Sequence, residues 1–183
     1  MSWGINLPAE NPCDMVTLPK VNDARDRILS KSEYATLLES CRDSHLNILE
    51  DIVVFAYSTG ARQGEILRLK REHVNYNKKL ITFMDTKNGE DRTIPAPDNV
   101  LNICKKYRFG NNVFNIIPRR LRKHFSIACK KVQIEDFRFH DLRACFSTNA
   151  LLSGWSIAEV SRITGHKDWS QLKRYTRIKA EDL

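Results

Sequence analysis

Apolar residues recur at helical spacing along most of this chain, and the places where that spacing fails mark its other elements. Tyr34, Leu37, Leu38 and Cys41 follow Ser30-Lys31-Ser32-Glu33, a capping box in which hydroxyl and carboxylate satisfy each other's free backbone donors; together they predict a helix over 31–42. From Leu46 to Ser58 the apolar residues Leu49, Ile52, Val53, Val54, Phe55 and Ala56 fall on most sides, the pattern of a central buried helix that stops at Ser58-Thr59-Gly60. A short helix is expected over 62–70. The period then changes to two. Val74 with Tyr76, Ile81 with Phe83, and Thr93-Ile94 before Pro95 predict a small three-stranded antiparallel sheet near residues 73–95. Its turns fall at Asn77-Lys78-Lys79 and at Lys87-Asn88-Gly89-Glu90, where Asn-Gly supplies the positive φ angles of a hairpin tip. Helical spacing returns over 98–106, 118–132, 140–153, 156–164 and 168–176. Gly154 and Gly165 stand where C-terminal caps belong, and Ser156-Ile157-Ala158-Glu159 is a second capping box. The fold class is therefore α+β, mainly α-helical. Residues 1–26, punctuated by Pro8, Pro12 and Pro19 without a sustained period, read as an extended arm or interdomain linker.

Composition narrows the partners. A chain of 183 residues with 42% hydrophobic content suffices for one domain with a real core, and Lys+Arg 30 against Asp+Glu 22 gives a net charge of +8, which points to a polyanion such as nucleic acid. Apolar stretches such as Ile52 to Tyr57 fall far short of the roughly 20 residues that span a bilayer. The N-terminus lacks a basic-then-apolar signal pattern, so the chain reads as soluble and cytoplasmic. Five cysteines (Cys13, Cys41, Cys104, Cys129, Cys145) without a Cys-x-x-Cys pair read as reduced, mostly buried thiols, and no metal or other cofactor is expected.

Four segments carry chemistry of their own. In Thr59-Gly60-Ala61-Arg62-Gln63-Gly64-Glu65 an arginine opens a helix, Glu65 lies one turn on to hold it, and the glycines permit a close approach. In His140-Asp141-Leu142-Arg143 a spacing of three sets imidazole and guanidinium on one face near a helix N-terminus, where one phosphate meets both. Lys87 sits at a hairpin tip. Thr164-Gly165-His166 ends a helix, and Tyr175 follows among Lys173, Arg174 and Arg177, cations of the kind that make a phenol useful as a nucleophile. Tyr34, Tyr57 and Tyr76 fall on apolar positions and read as core, whereas Tyr107 and Tyr175 do not. Each segment alone also fits an ordinary surface pair, a capped helix with a solvated arginine, or a solubilising lysine.

Their order changes that weighting. TGARQGEILRL, TKNGEDRTIP, FHDLRACFSTNALLSG and ITGHKDWSQLKRYTRI succeed one another at spacings that resemble the catalytic domain of the tyrosine recombinases, the phage integrase family, from about Arg27 to Ile178. The resemblance implies that Arg62 and Arg143 are the paired arginines on the scissile phosphate, with Glu65 buttressing Arg62. It makes Lys87 the hairpin lysine, His140 and His166 the two histidines, and Tyr175 the nucleophile. It implies DNA strand cleavage and rejoining through a 3′-phosphotyrosyl intermediate, on double-stranded DNA, with self-association into dimers or tetramers there and without ATP or metal. It also implies that residues 27–183 are a catalytic domain whose parent carries an N-terminal DNA-binding domain. Thr164 stands where leucine is more usual, and Ala144-Cys145 replaces a bulkier or more polar pair. A type IB topoisomerase uses similar groups to relax supercoils, and a noncatalytic DNA-binding regulator would grip phosphates with the same basic helices. A metal-dependent phosphoesterase is disfavoured, because the sequence has no carboxylate cluster of the kind that holds two ions.

Overall fold

The computed structural model describes residues 27–84 and 90–166. The expected arm over 1–26, the hairpin tip with Lys87, the final helix over 168–176 and Tyr175 lie outside the described residues.

Helix α1 (Lys31–Arg42) begins with its capping box closed both ways: Glu33 N–H donates to Ser30 Oγ at 3.1 Å, and Ser30 N–H to Glu33 Oε2 at 2.9 Å. Helix α2 (Leu49–Thr59) starts at Leu49 and not at Leu46. The intervening residues form a turn in which Leu49 N–H donates to Leu46 O at 2.8 Å and Leu46 N–H to Ser44 Oγ at 3.2 Å. As its all-round apolar pattern requires, α2 is the centre of the molecule: Leu49, Ile52, Val53, Phe55 and Ala56 are buried, and Phe55 meets Phe114 edge-on at 5.7 Å. Gly60, in the left-handed region at φ +61°, caps it.

Helix α3 (Gln63–Arg68) is shorter than expected. Leu69 turns extended, its carbonyl accepts from Val113 N–H at 2.8 Å, and Lys70 bridges to Asn112, so the chain leaves the helix for a sheet-like contact. The sheet follows as β1 (Val74–Asn75), β2 (Leu80–Phe83) and β3 (Arg92–Pro95), antiparallel in that order. The pairs Val74 with Ile81, Ile81 with Ile94, and Phe83 with Arg92 set its register, and Val74, Ile81, Phe83 and Ile94 turn inward.

Four helices complete the core: α4 (Asp98–Lys106), α5 (Pro118–Lys131), α6 (Asp141–Leu152) and α7 (Ile157–Thr164). Helices α1, α3, α4, α5 and α6 all pack on α2. The second capping box closes too, Glu159 N–H to Ser156 Oγ at 3.2 Å and Ser156 N–H to Glu159 Oε2 at 2.7 Å. Gly165 caps α7 at φ +71°. The described residues thus form a mainly helical domain with one small antiparallel sheet, and none of their helices is long and apolar enough to cross a membrane.

Two tyrosines depart from their sequence reading. Tyr76 lies past the end of β1 and is 36% exposed, because the strand stops at Asn75 and the turn carries the ring out under the Lys105 ammonium, 5.6 Å from its centroid. Tyr107 packs inward against Phe114 at 5.2 Å, and its hydroxyl donates to Asp51 Oδ2 at 2.6 Å, a partner on α2 that local spacing does not reveal. Cys41, Cys104, Cys129 and Cys145 are buried free thiols.

Candidate active site

Arg62 is the N-cap of α3, held at the turn that joins it to α2. Glu65 holds it twice: Arg62 N–H donates to Glu65 Oε2 at 2.8 Å, and Arg62 Nη1 to Glu65 Oε1 at 2.9 Å. The other end of the fork, Nη2, donates to the carbonyl of Gly165 at 3.0 Å. Glu65 is only 3% exposed. Burial alone would push its carboxyl up. The two hydrogen bonds and the charge of Arg92, with the bonds from Arg62, outweigh that and hold it below the usual carboxylate range.

Arg143 stands one turn into α6 and is 5% exposed, not a solvated surface charge. Most of this helix is buried, since Leu142, Ala144, Cys145 and Ser147 on other sides are covered as well. Arg143 Nη1 donates to Gly60 O at 2.8 Å, and Nη2 lies 3.1 Å from His166 Nε2. Both arginines are therefore braced on carbonyls of left-handed helix caps, Gly60 after α2 and Gly165 after α7, where helix C-termini carry partial negative charge. They also meet the same dipeptide. Arg62 reaches the carbonyl of Gly165, and Arg143 the ring of His166.

His166 is oriented in turn by Thr164, whose buried hydroxyl lies 2.7 Å from His166 Nδ1. That hydroxyl also stands 2.6 Å from Val160 O and donates there, so its oxygen accepts the Nδ1 proton. Arg143 Nη2, a group that only donates, stands 3.1 Å from Nε2 and 3.4 Å from Nδ1 of the same ring. The threonine that replaces the usual leucine thus acts on the histidine two residues later. His140 is the exposed N-cap of α6, one turn before Arg143, and its carbonyl accepts from Arg143 N–H at 3.1 Å. Lys87 and Tyr175 lie outside the described residues.

Sequence reasoning missed Arg92. It opens β3 opposite Phe83 and grips Glu65 with both ends of its fork, Nη1 to Oε1 at 3.0 Å and Nη2 to Oε2 at 2.8 Å. The signal was present. Arg92 and Ile94 are two apart on one strand, so alternation turns a guanidinium toward the core beside a buried isoleucine. Around the site, α5 exposes Arg119, Arg120, Arg122 and Lys123, and Arg122 Nη1 reaches Gln63 Oε1 at 3.5 Å, next to Arg62. The arrangement offers guanidiniums in excess over carboxylate, back-bonded into fixed orientations, which suits a phosphate oxyanion. Among the described residues, no group of three or more His, Cys, Asp or Glu side chains could hold a metal ion.

Residues 27–182 match the model of the phage integrase family. The shufflon-specific DNA recombinase of Escherichia coli is 35% identical over 186 residues, covering 100% of this chain and 48% of that protein. Tyrosine recombinase XerA of Pyrococcus furiosus is 29% identical over 194 residues, covering 98% of this chain and 66% of its own length. Among solved structures, the catalytic domain of bacteriophage HP1 integrase superposes with a TM-score of 0.70 at 26% identity, over 84% of this chain and 89% of that one. The chain thus spans 48% and 66% of the lengths of these two curated relatives.

Proposed function

We propose, from the premise that this chain belongs to the phage integrase family, that it cleaves and rejoins DNA strands through a covalent tyrosine–phosphate ester. The observation that supports this most directly is the convergence of Arg62 and Arg143 on Gly165-His166. A phosphodiester resists attack because its charge repels nucleophiles and nothing protonates the leaving oxygen. Arg62, Arg143 and His166 would hold the non-bridging oxygens and the charge that grows on them. The Tyr175 hydroxyl would attack phosphorus, passing its proton toward His140, while the bond to the 5′-oxygen breaks and Lys87 protonates that oxygen. The products are a 3′-phosphotyrosyl ester and a free 5′-hydroxyl. Since one ester replaces another, the reverse attack by a 5′-hydroxyl rejoins the strand without ATP.

Double-stranded DNA is the substrate class, and the exposed arginines of α5 beside Arg62 supply a basic surface for its backbone. Exchange between two duplexes takes four cleavages, so the chain would act as a dimer or tetramer assembled on DNA, where bound protomers meet at high effective concentration.

Covalent capture tests the reading. The chain is incubated with nicked duplexes from a randomised pool, and denaturation-resistant protein–DNA adducts are collected and sequenced. Adducts are expected with the unsubstituted chain, and none with Tyr175→Phe at nearly unchanged DNA affinity. DNA binding with no adduct from any duplex supports a noncatalytic regulator, and adducts from the phenylalanine variant remove the assignment.

A further inference from the structure

We propose that Arg92 is a positioning residue for the phosphate site: by taking both oxygens of Glu65 it keeps the charge of Arg62 available to a phosphate while Glu65 still fixes the orientation of Arg62. The proposal rests on the reading of Arg62 as a phosphate ligand. Its geometry is a closed ring. Arg92 binds Glu65 through both ends of its fork, Glu65 binds Arg62, and Arg62 binds the carbonyl of Gly165. The Arg92 side chain then lies against Gly165 itself, so closely that a Cβ there would stand 2.5 Å from Arg92 Nη1. Three elements distant in sequence, β3, the start of α3 and the end of α7, are locked together by one side chain.

Charge balance gives the ring its function. With Arg92 absent, the buried Glu65 carboxylate would be shared with Arg62 alone, and the pair would be neutral toward a phosphate. With Arg92 present, two guanidiniums share one carboxylate and a positive charge remains for the anion. Stability alone does not explain the residue. A buried ion pair is often no more stabilising than a well-packed apolar group of similar size, and Arg92 leaves its buried Nε without a hydrogen-bond partner among the described residues. Its guanidinium carbon stands 5.2 Å from the centroid of the Phe83 ring, so the side chain is steadied on the face that its carboxylate partner leaves open. Arg92 also lies opposite Phe83, the described pair of β2 and β3 nearest the loop that joins them, which ties that end of the hairpin to Glu65 and Arg62.

The test uses the full chain and inorganic phosphate, followed through the assigned Arg62 Nε–H resonance. Phosphate should shift that resonance. Arg92→Gln should weaken phosphate about tenfold, since the compensating charge is lost at short range. Arg92→Lys, which keeps the charge, and Glu65→Gln/Arg92→Gln, which removes the excess negative charge and keeps hydrogen-bonding groups, should each return to within about threefold of the unsubstituted chain. A purely structural Arg92 would make the double variant no better than the single one. That result, unchanged affinity in Arg92→Gln, or no phosphate response of Arg62 at all overturns the proposal. If Arg92→Gln does not fold, the double variant decides: a tenfold loss there counts against charge balance, and near-parental affinity supports it. Covalent capture on DNA is run alongside. The phosphate pattern without adducts removes strand transfer and leaves this inference standing, and adducts without the phosphate pattern do the reverse.

Discussion

The carbonyl oxygen of Gly60 accepts a 2.8 Å hydrogen bond from Arg143 Nη1, joining residues 83 positions apart. The same glycine ends α2 at φ +61°, and a Cβ on it would stand 2.4 Å from Phe146 Cδ1. One small residue therefore terminates the central helix, admits an aromatic ring from α6 and braces a buried guanidinium.

Gly60→Ala should lower unfolding free energy by about 2 to 4 kcal/mol, the sum of a left-handed alanine and an overpacked contact. Gly64 meets only Arg68 Nη1 at 4.0 Å, and Gly64→Ala, inside α3, should leave stability unchanged or raise it by up to about 1 kcal/mol. Urea denaturation of the two variants checks this, and equal midpoints would count against the close approach at Gly60.

Arg62→Lys and Arg143→Lys should each slow adduct formation by about 100-fold or more, although charge is kept. Each arginine spends one end of its fork on a glycine carbonyl and directs the rest of the group from there, whereas a lysine ammonium is a single point donor. Single-turnover capture at saturating DNA measures the rate, and parental rates in either variant would argue against a shared phosphate site.

Thr164→Val removes the acceptor for His166 Nδ1 and keeps the side-chain shape. Adduct formation should slow about tenfold as the ring loses its fixed tautomer, and Thr164→Ser should restore it. Nitrogen NMR of His166 should show the Nδ1–H form in the parent and a tautomer mixture in the valine variant. The same tautomer in both would dismiss this role.

Stability should fall in acid. Arg27 and the backbone and hydroxyl of Ser30 hold the Glu33 carboxyl down to about 2 from its ordinary 4.5, and Arg92 and Arg62 hold Glu65 low against burial. A carboxyl with a folded pKa below its unfolded one stabilises fully above the unfolded value and loses that contribution as pH falls through the folded one. For Glu33 the loss lies between pH 4.5 and about 2. Denaturation midpoints over this range should fall in the parent and fall less steeply in Glu33→Gln.

Native thiol labelling should spare Cys41, Cys104, Cys129 and Cys145. Burial pushes the first two up to about 12 and the last two up to about 11, and only the thiolate reacts. Mass spectrometry after iodoacetamide at pH 8 should find these four alkylated only in denaturant. Rapid native modification of any of them would contradict its burial.

Much of the fold was legible because its determinants are local. The two capping boxes, the all-round apolar run of α2 and the shift to period two place elements from neighbouring residues alone, and these stand where spacing puts them. Boundaries moved where another hydrogen bond drew the chain out of the helix: Ser44, two residues back, captures Leu46 N–H, and Val113, from a distant loop, donates to the Leu69 carbonyl just past α3. Tyr107 packs inward for a reason that local spacing does not carry, since Asp51, its partner, lies on α2.

For the site, sequence alone determined the residue types, their order and the helix ends that carry Arg62, His140, Arg143 and His166. Only the tertiary structure decided that Arg143 is buried, that both arginines meet Gly165-His166, that Thr164 orients the imidazole, and that Arg92 shares Glu65 with Arg62. The division is physical. Helix caps and alternation are set by hydrogen bonds and side-chain directions within a few residues, whereas a buried charge is tolerable only with partners that close on it. Here those partners come from 27 positions away for Arg92, 83 for Arg143 and 103 for Arg62, distances that only the packing of α2, α6, α7 and β3 around one another brings to hydrogen-bond length.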